Sequence, residues 1–280
     1  MIPTIELHDK TAIPQLGFGT FLVPPEETAR IVSEALEVGY RHIDTAQGYG
    51  NEAGVGEALR RSGLAREDVY LTSKLTNSKH APEDVRSSFD ETLEKLGVDY
   101  LDLFLIHWPL PTRYDGDFVS TWKAMIGLLE DGRLRSAGVS NFEPDHLERI
   151  VGETGTAPVV NQVEVHPYFR NEAVRSACAS HGVAVEAWGP LGQGKSGVLE
   201  DPAVLAAARA HGKTPAQVIL RWHLQRGDIV FPKSMRRERM VENFDVFDFD
   251  LTAEEAAAID ALDKGESGRV GPDPKTFDRV

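Results

Sequence analysis

The 280-residue sequence is poor in cysteine and in positive charge, and it has no long apolar run and no low-complexity stretch. Cys178 is the only cysteine, so no disulfide can form within the chain, which points to a reducing compartment, the cytoplasm. The most apolar stretch, 100–110, is interrupted by Asp102 and His107 and falls far short of the ~20 residues a membrane helix needs. The first residues carry no basic stretch followed by an apolar one, so no signal peptide is expected. Lysine and arginine total 30 against 44 aspartates and glutamates, a formal charge of −14. Such a surface repels nucleic acid and anionic lipid, and any anionic ligand needs a local basic patch. No Ser/Gly-rich linker or break in composition divides residues 1–280, which predicts one domain. No large apolar stripe is left unassigned, which favours a monomer.

What the sequence does have is alternation. After an N-terminal hairpin at 4–13, short β-type runs fall at 15–20, 42–45, 69–75, 101–107, 136–141, 159–165, 183–189 and 229–233. Segments of helical period separate them, clearest at 82–97, where Val85, Phe89, Leu93 and Leu96 share a stripe between Pro82 and Gly97. Two further helices follow the last run. Strand–helix alternation implies a parallel sheet, and Leu103-Phe104-Leu105-Ile106 and Val183-Ala184-Val185 are apolar at consecutive positions, as in strands covered on both faces. Eight units favour a (β/α)8 TIM barrel; pattern alone leaves a doubly wound open sheet with an extra hairpin as the alternative.

Polar residues mark the C-terminal ends of these runs: Gly19-Thr20, Asp44, Lys74, His107, Ser140-Asn141, Gln162-Glu164, Trp188 and Lys233-Ser234. Barrel active sites are built at that face from several strand ends. Singly, each residue has an ordinary explanation as a cap, a surface charge or a core side chain. Jointly, Asp44, Tyr49, Lys74 and His107 suit one chemistry. A phenol titrates near ~10, too weak an acid for efficient proton donation at neutrality. A neighbouring ammonium would pull that value down, a carboxylate would keep the ammonium charged, and a neutral imidazole would orient a substrate oxygen. This set holds no nucleophile, so it fits carbonyl reduction with Tyr49 as proton donor rather than hydrolysis.

Other motifs fade on inspection. Residues 189–196 match the phosphate-loop pattern G-x-x-x-x-G-K-S, but Gly197 follows at once and the next helix starts only near Pro202. No H-E-x-x-H or C-x-x-C supports a metal site, and His166 near Glu164 is a weak pair. Gly138-Val139-Ser140-Asn141 runs into Phe142 rather than the glycine of a serine-hydrolase elbow. Cys178, between Ala177 and Ala179, reads as a small core residue.

Several spaced segments carry a resemblance. Gly39 to Ala46, followed by Tyr49, Asn51-Glu52 and Val55-Gly56, is similar to the first signature of the aldo-keto reductase superfamily. Ser73-Lys74, Leu105 to Pro109, Gly138 to Phe142, and Phe231 to Ser234 with Arg239, Glu242 and Asn243 resemble its later motifs in order. The resemblance spans residues 14–243 and leans toward bacterial members of the group that includes 2,5-diketo-D-gluconate reductases. It implies that Asp44, Tyr49, Lys74 and His107 form the catalytic tetrad. It also implies NADPH extended across the strand ends: Gly19, Thr20 and Asp44 at the nicotinamide ribose, Ser140, Asn141 and Gln162 at the carboxamide, and Trp188 against the ring. Leu191 and its glycine-rich neighbours would cover the pyrophosphate, Lys233, Ser234 and Arg239 the 2′-phosphate, and Glu242 and Asn243 the adenine. Independently of the family, Lys233, Arg236, Arg237 and Arg239 concentrate positive charge at a predicted helix start, where the helix dipole disfavours it, so a phosphate is expected there.

The substrate is then a small carbonyl compound, a dicarbonyl or keto sugar, with Phe21 and Trp108 as candidate pocket walls. Trp188 replaces the more usual tyrosine or phenylalanine, and the chain is short after residue 243, which predicts a reduced C-terminal loop and a more open pocket. Two alternatives remain: a nicotinamide-binding regulatory module with little turnover, and a phosphate-binding isomerase on the same barrel.

Overall fold

The computed structural model describes residues 2–280. Strands β1 (Thr4–Glu6) and β2 (Ala12–Pro14) pair antiparallel. Eight further strands follow: β3 (Phe18–Gly19), β4 (His42–Asp44), β5 (Tyr70–Leu75), β6 (Leu101–Ile106), β7 (Leu134–Ser140), β8 (Val160–Glu164), β9 (Ala184–Trp188) and β10 (Ile229–Val230). They pair in parallel in chain order from β3 to β10. The ring closes through a parallel bridge between Leu16 and Val230, with Gly17 N–H donating to Val230 O at 2.8 Å and Val230 N–H to Gln15 O at 3.0 Å. This is a (β/α)8 barrel with an N-terminal hairpin.

β3 and β10 are shorter than their apolar runs suggested. Pro232 has no N–H to extend the last ladder, and Gln15 turns its amide to Leu224 O (2.8 Å) and Asp228 O (3.0 Å) instead. The hairpin plugs the N-terminal end of the barrel. Leu7 and Ile13 pack with Leu103, Leu105, Val160, Ile229 and Phe231, while Asp9 accepts from Ser136 Oγ at 2.7 Å.

The helices are α1 (Pro25–Val38), α2 (Glu52–Ser62), α3 (Pro82–Leu96), α4 (Phe118–Gly127), α5 (Pro144–Thr154), α6 (Glu172–Ser180), α7 (Pro202–His211), α8 (Pro215–Gln225), α9 (Arg237–Phe244) and α10 (Ala253–Asp260). Proline opens α1, α3, α5, α7 and α8, where its missing N–H costs nothing. α3 stops at Gly97, whose φ of +66° lets the chain turn back. Its predicted stripe is buried, with Phe89 edge-on to Phe104 of β6 at 5.3 Å. Between β9 and α7 no α-helix follows the phosphate-loop look-alike, only single 3-10 turns at Gly192–Gly194 and Val198–Glu200. Gly192, Gly194 and Gly197 all take positive φ, and the backbone turns rather than presenting a row of amides.

Candidate active site

The barrel brings the four predicted residues together at the C-terminal ends of its strands. Asp44 ends β4 and Lys74 lies one residue from the end of β5; the two strands pair directly, with Asp44 opposite Thr72. Lys74 is fully buried, and its Nζ donates to both Asp44 oxygens, at 2.7 and 2.8 Å, and to Thr45 O at 2.9 Å. All three ammonium hydrogens are therefore spent on the protein. A single turn of 3-10 helix after β4 (Gln47–Tyr49) sets the phenol above this pair, with Nζ 5.2 Å from the ring centre. His107, immediately after β6, presents its ring edge to Tyr49 at 5.6 Å between centres.

Burial decides the titration of these groups. It pushes the His107 imidazole down to about 3, helped by the Lys74 ammonium and by His80, so the ring is neutral across the physiological range. Burial is the largest single effect on Lys74 and would depress it, but Asp44, Tyr49 and Glu186 together outweigh that and hold the ammonium above its ordinary value. Tyr49 departs from the sequence-based expectation. Burial raises the phenol above 10, and Asp44 adds to it, while the downward pull of Lys74 is present but smaller. The phenol is a held proton rather than a ready phenolate.

A second group sits beside the tetrad. Asn141, held at φ +63°, donates through Nδ2 to His107 O (2.9 Å) and Ser140 Oγ (3.0 Å) and accepts at Oδ1 from the Trp188 indole N–H (2.8 Å). Ser140 Oγ donates to Gln162 O at 2.8 Å. Gln162 Nε2 lies 2.9 Å from both Asp44 Oδ2 and Glu186 Oε2. Gly19 is packed so closely that a Cβ there would stand 3.1 Å from Phe231 O. Thr20 is fully buried, its hydroxyl bonded to Asp44 O at 3.1 Å. Leu191 is partly buried at the start of the glycine turns.

Across the mouth, Lys233, Arg236 and Arg239 are exposed and form no salt bridge among the described residues, whereas Arg237 is paired with Glu37 at 2.9 Å. Ser234 is buried and bonded to Arg236 N–H at 3.0 Å. Asn243 is buried, and Glu242 accepts from Thr214 Oγ1 at 2.8 Å.

The two candidate substrate residues differ in exposure. Phe21 is half exposed and its ring lies 5.1 Å from Tyr49; Trp108 is buried. Trp108 is covered by Phe277, stacked at 4.1 Å, from the C-terminal tail. The tail is fastened by Val270 and Gly271 N–H to the two oxygens of Glu164 (2.6 and 2.9 Å), by Asn77 Nδ2 to Arg279 O (2.8 Å) and by Arg113 Nε to Asp278 O (3.1 Å). The tail of this chain, short after residue 243, thus folds back over Trp108. Glu164, which the sequence placed in the ring of strand-end polar residues, serves as the tail's anchor. Phe277 and Glu186 were both missed. The signal for Glu186 was present: one carboxylate inside a strand that otherwise reads as covered on both faces.

A parallel eight-stranded barrel with a phenol, an ammonium, a carboxylate and an imidazole converging at its C-terminal mouth defines an oxidoreductase scaffold working at carbonyl groups. The model of the aldo/keto reductase family matches residues 15–264, and the chain belongs to that family. It is 50% identical to an aldo-keto reductase of Mycolicibacterium smegmatis, over 99% of this chain and 98% of that one. It is 44% identical to methylglyoxal reductase DkgA of Escherichia coli, over 98% and 97%. Among solved structures it matches a variant of Gox0644 in complex with NADPH, with a TM-score of 0.93, 44% identity and 99% of each chain covered.

Proposed function

We propose that this chain reduces small aldehydes and α-dicarbonyls to alcohols with NADPH, working as a single-domain, monomeric enzyme of the cytoplasm. The observation that carries the chemistry is Lys74, fully buried and bound to both Asp44 oxygens beneath the Tyr49 ring. The relatedness to methylglyoxal reductase supports the substrate class. A lone buried thiol suits a reducing compartment, no helix among the described residues is long and apolar enough to cross a membrane, and few large apolar side chains are exposed.

The residues fit the cofactor. Three basic side chains without carboxylate partners, in a strongly acidic chain, supply a phosphate site, and Arg grips a phosphate with more than one hydrogen bond. Lys233, Ser234 and Arg239 would take the 2′-phosphate, with Glu242 and Asn243 at the adenine and Leu191 at the pyrophosphate. Gly19, Thr20 and Asp44 would border the nicotinamide ribose. Ser140, Asn141 and Gln162 would hold the carboxamide, and Trp188, fixed by Asn141, offers a ring face. When bound, the nicotinamide supplies the hydride to the carbonyl carbon.

The chain's own residues do the rest. His107, neutral, donates its ring N–H to the carbonyl oxygen and orients it. Phe21, Trp108 and Phe277 keep water from the reacting carbon. Tyr49 Oη passes its proton to the oxygen as negative charge develops there, and Lys74 stabilises the phenolate left behind. Asp44 keeps Lys74 charged and aimed. Steady NADPH consumption with methylglyoxal tests this reading, and binding without turnover would refute it.

Two results follow. Arg239→Ala should raise the KM for NADPH about ten- to hundred-fold, the worth of a charged hydrogen bond, and leave the KM for NADH unchanged. Comparing the two coenzymes checks it. The reverse reaction, alcohol oxidation, needs the phenolate. Because burial raises Tyr49 above 10, oxidation should climb continuously from pH 7 to about 10 without a plateau, as steady-state rates across that window will show.

A further inference from the structure

Neither the tetrad nor the cofactor contacts account for Glu186. It lies in β9, fully buried in the barrel interior, in register with Gln162 of β8 on one side and Ile229 of β10 on the other. A buried carboxyl is costly unless a cation or several donors meet it. Glu186 meets one donor: Gln162 Nε2 at 2.9 Å on Oε2, while Oε1 has no hydrogen-bond partner among the described residues. The nearest cation, Lys74, has all its hydrogens on Asp44 and Thr45. An unpartnered oxygen tolerates a neutral acid far better than a carboxylate. The other hydrogen of Gln162 Nε2 goes to Asp44 Oδ2, also at 2.9 Å. Both amide hydrogens thus point into the barrel, between two carboxyl groups, and no protein group among the described residues donates to Gln162 Oε1.

We propose that Glu186 is a positioning residue for the reaction: a neutral acid that, with Asp44, clamps the Gln162 amide nitrogen inward so that its oxygen is presented to the nicotinamide carboxamide. The inference rests on the roles assigned above to Gln162 and the tetrad. Three consequences follow from the geometry. Gln162 has one orientation, because a reversed amide would set its oxygen against the Asp44 carboxylate. The barrel interior carries balanced charge, Lys74 against Asp44, only while Glu186 keeps its proton. Ionising Glu186 adds a negative charge that opposes the phenolate forming at Tyr49.

The charged and titratable groups facing Glu186 are Asp44 from β4 and Lys74 and Tyr70 from β5; β8 and β10 bring it the uncharged Gln162 and Ile229. Burial, then the Asp44 charge, push its carboxyl up to about 8, against smaller pulls from Gln162 and Lys74. Carbonyl reduction should therefore bend downward as pH rises through about 8, well before the Tyr49 phenol itself titrates.

The test uses E186Q and E186A in the full chain, with NADPH affinity read by fluorescence titration and reduction of methylglyoxal read against pH. E186A, freeing the amide, should weaken NADPH binding about ten-fold, the worth of one buried hydrogen bond. E186Q should recover most of that affinity, since its side-chain oxygen still accepts from Gln162, but its reduction rate should run flat through pH 8 where the parent bends. Should E186A fail to fold, the E186Q pH profile decides alone, being isosteric. A profile for E186Q that superimposes on the parent's overturns the proposal, as does unaltered NADPH affinity in a folded E186A. Tyr49→Phe serves as the control. If it is inactive while E186Q matches the parent, the Glu186 inference falls and the tetrad reading stands; if it turns over normally, the tetrad reading falls first.

Discussion

Tyr49→Phe should lower kcat for carbonyl reduction by about a thousand-fold, within the span that a positioned general acid contributes, with NADPH affinity within about two-fold of the parent. The substitution removes one oxygen and keeps the ring. Its packing against Phe21 at 5.1 Å and His107 at 5.6 Å survives, so the fold and pocket shape should not change. What disappears is the hydroxyl of the ring placed over Lys74. His107 should not take over, because its imidazole is neutral and lacks a comparably acidic proton. Single-turnover reduction, paired with a coenzyme titration, separates the two effects. A kcat within ten-fold of the parent would make His107 or water the donor and remove Tyr49 from the mechanism.

Lys74→Met should be worse, because it costs both chemistry and stability. Methionine follows the lysine stem through the same buried volume, but three hydrogen bonds vanish. Asp44 is left as a buried carboxylate whose remaining side-chain donor is Gln162 at 2.9 Å. Breaking one partner of a buried ion pair typically costs about 3–5 kcal/mol, which in a chain of this size lowers the melting temperature by about 10 °C. Turnover should fall about a thousand-fold as well, since nothing then stabilises the phenolate. The double variant Asp44→Asn/Lys74→Met separates the losses: thermal unfolding should recover most of the stability, and assays should find no recovered activity. Recovery of both would mean that the ammonium is structural only.

Much of this was legible in the sequence because the chemistry sits where the periodicity changes. Asp44, Lys74 and His107 each interrupt or end an apolar run; singly each has an ordinary explanation, but together at strand ends they point to the mouth of a barrel. Tyr49 could be named from its chemistry beside Asp44, Lys74 and His107 and from its place in the first family-like segment. Glu186 was harder to see. It lies inside an apolar run, and only the three-dimensional pairing of β9 with β8 reveals that its neighbour is Gln162. Phe277 was invisible for a different reason: nothing local says that a polar tail rich in proline and glycine folds back onto Trp108. The direction of the Tyr49 shift was misjudged because a sequence names charged neighbours but not the depth of burial, and here burial is the larger effect.

The tail also says something about how such an enzyme acquires new preferences. Phe277 stacks on Trp108 from outside the hydrogen-bonded barrel frame, on a tail fastened through Glu164, Asn77 and Arg113 and, further back, by the Arg269–Glu143 ion pair. Substitutions at 272–277 can therefore redraw what the mouth admits while the proton-handling machinery, built into β4, β5 and β6, stays untouched. Natural or laboratory selection for other carbonyl compounds has a stretch of chain to vary in which the cost of a poor choice is a looser fit, not a collapsed barrel.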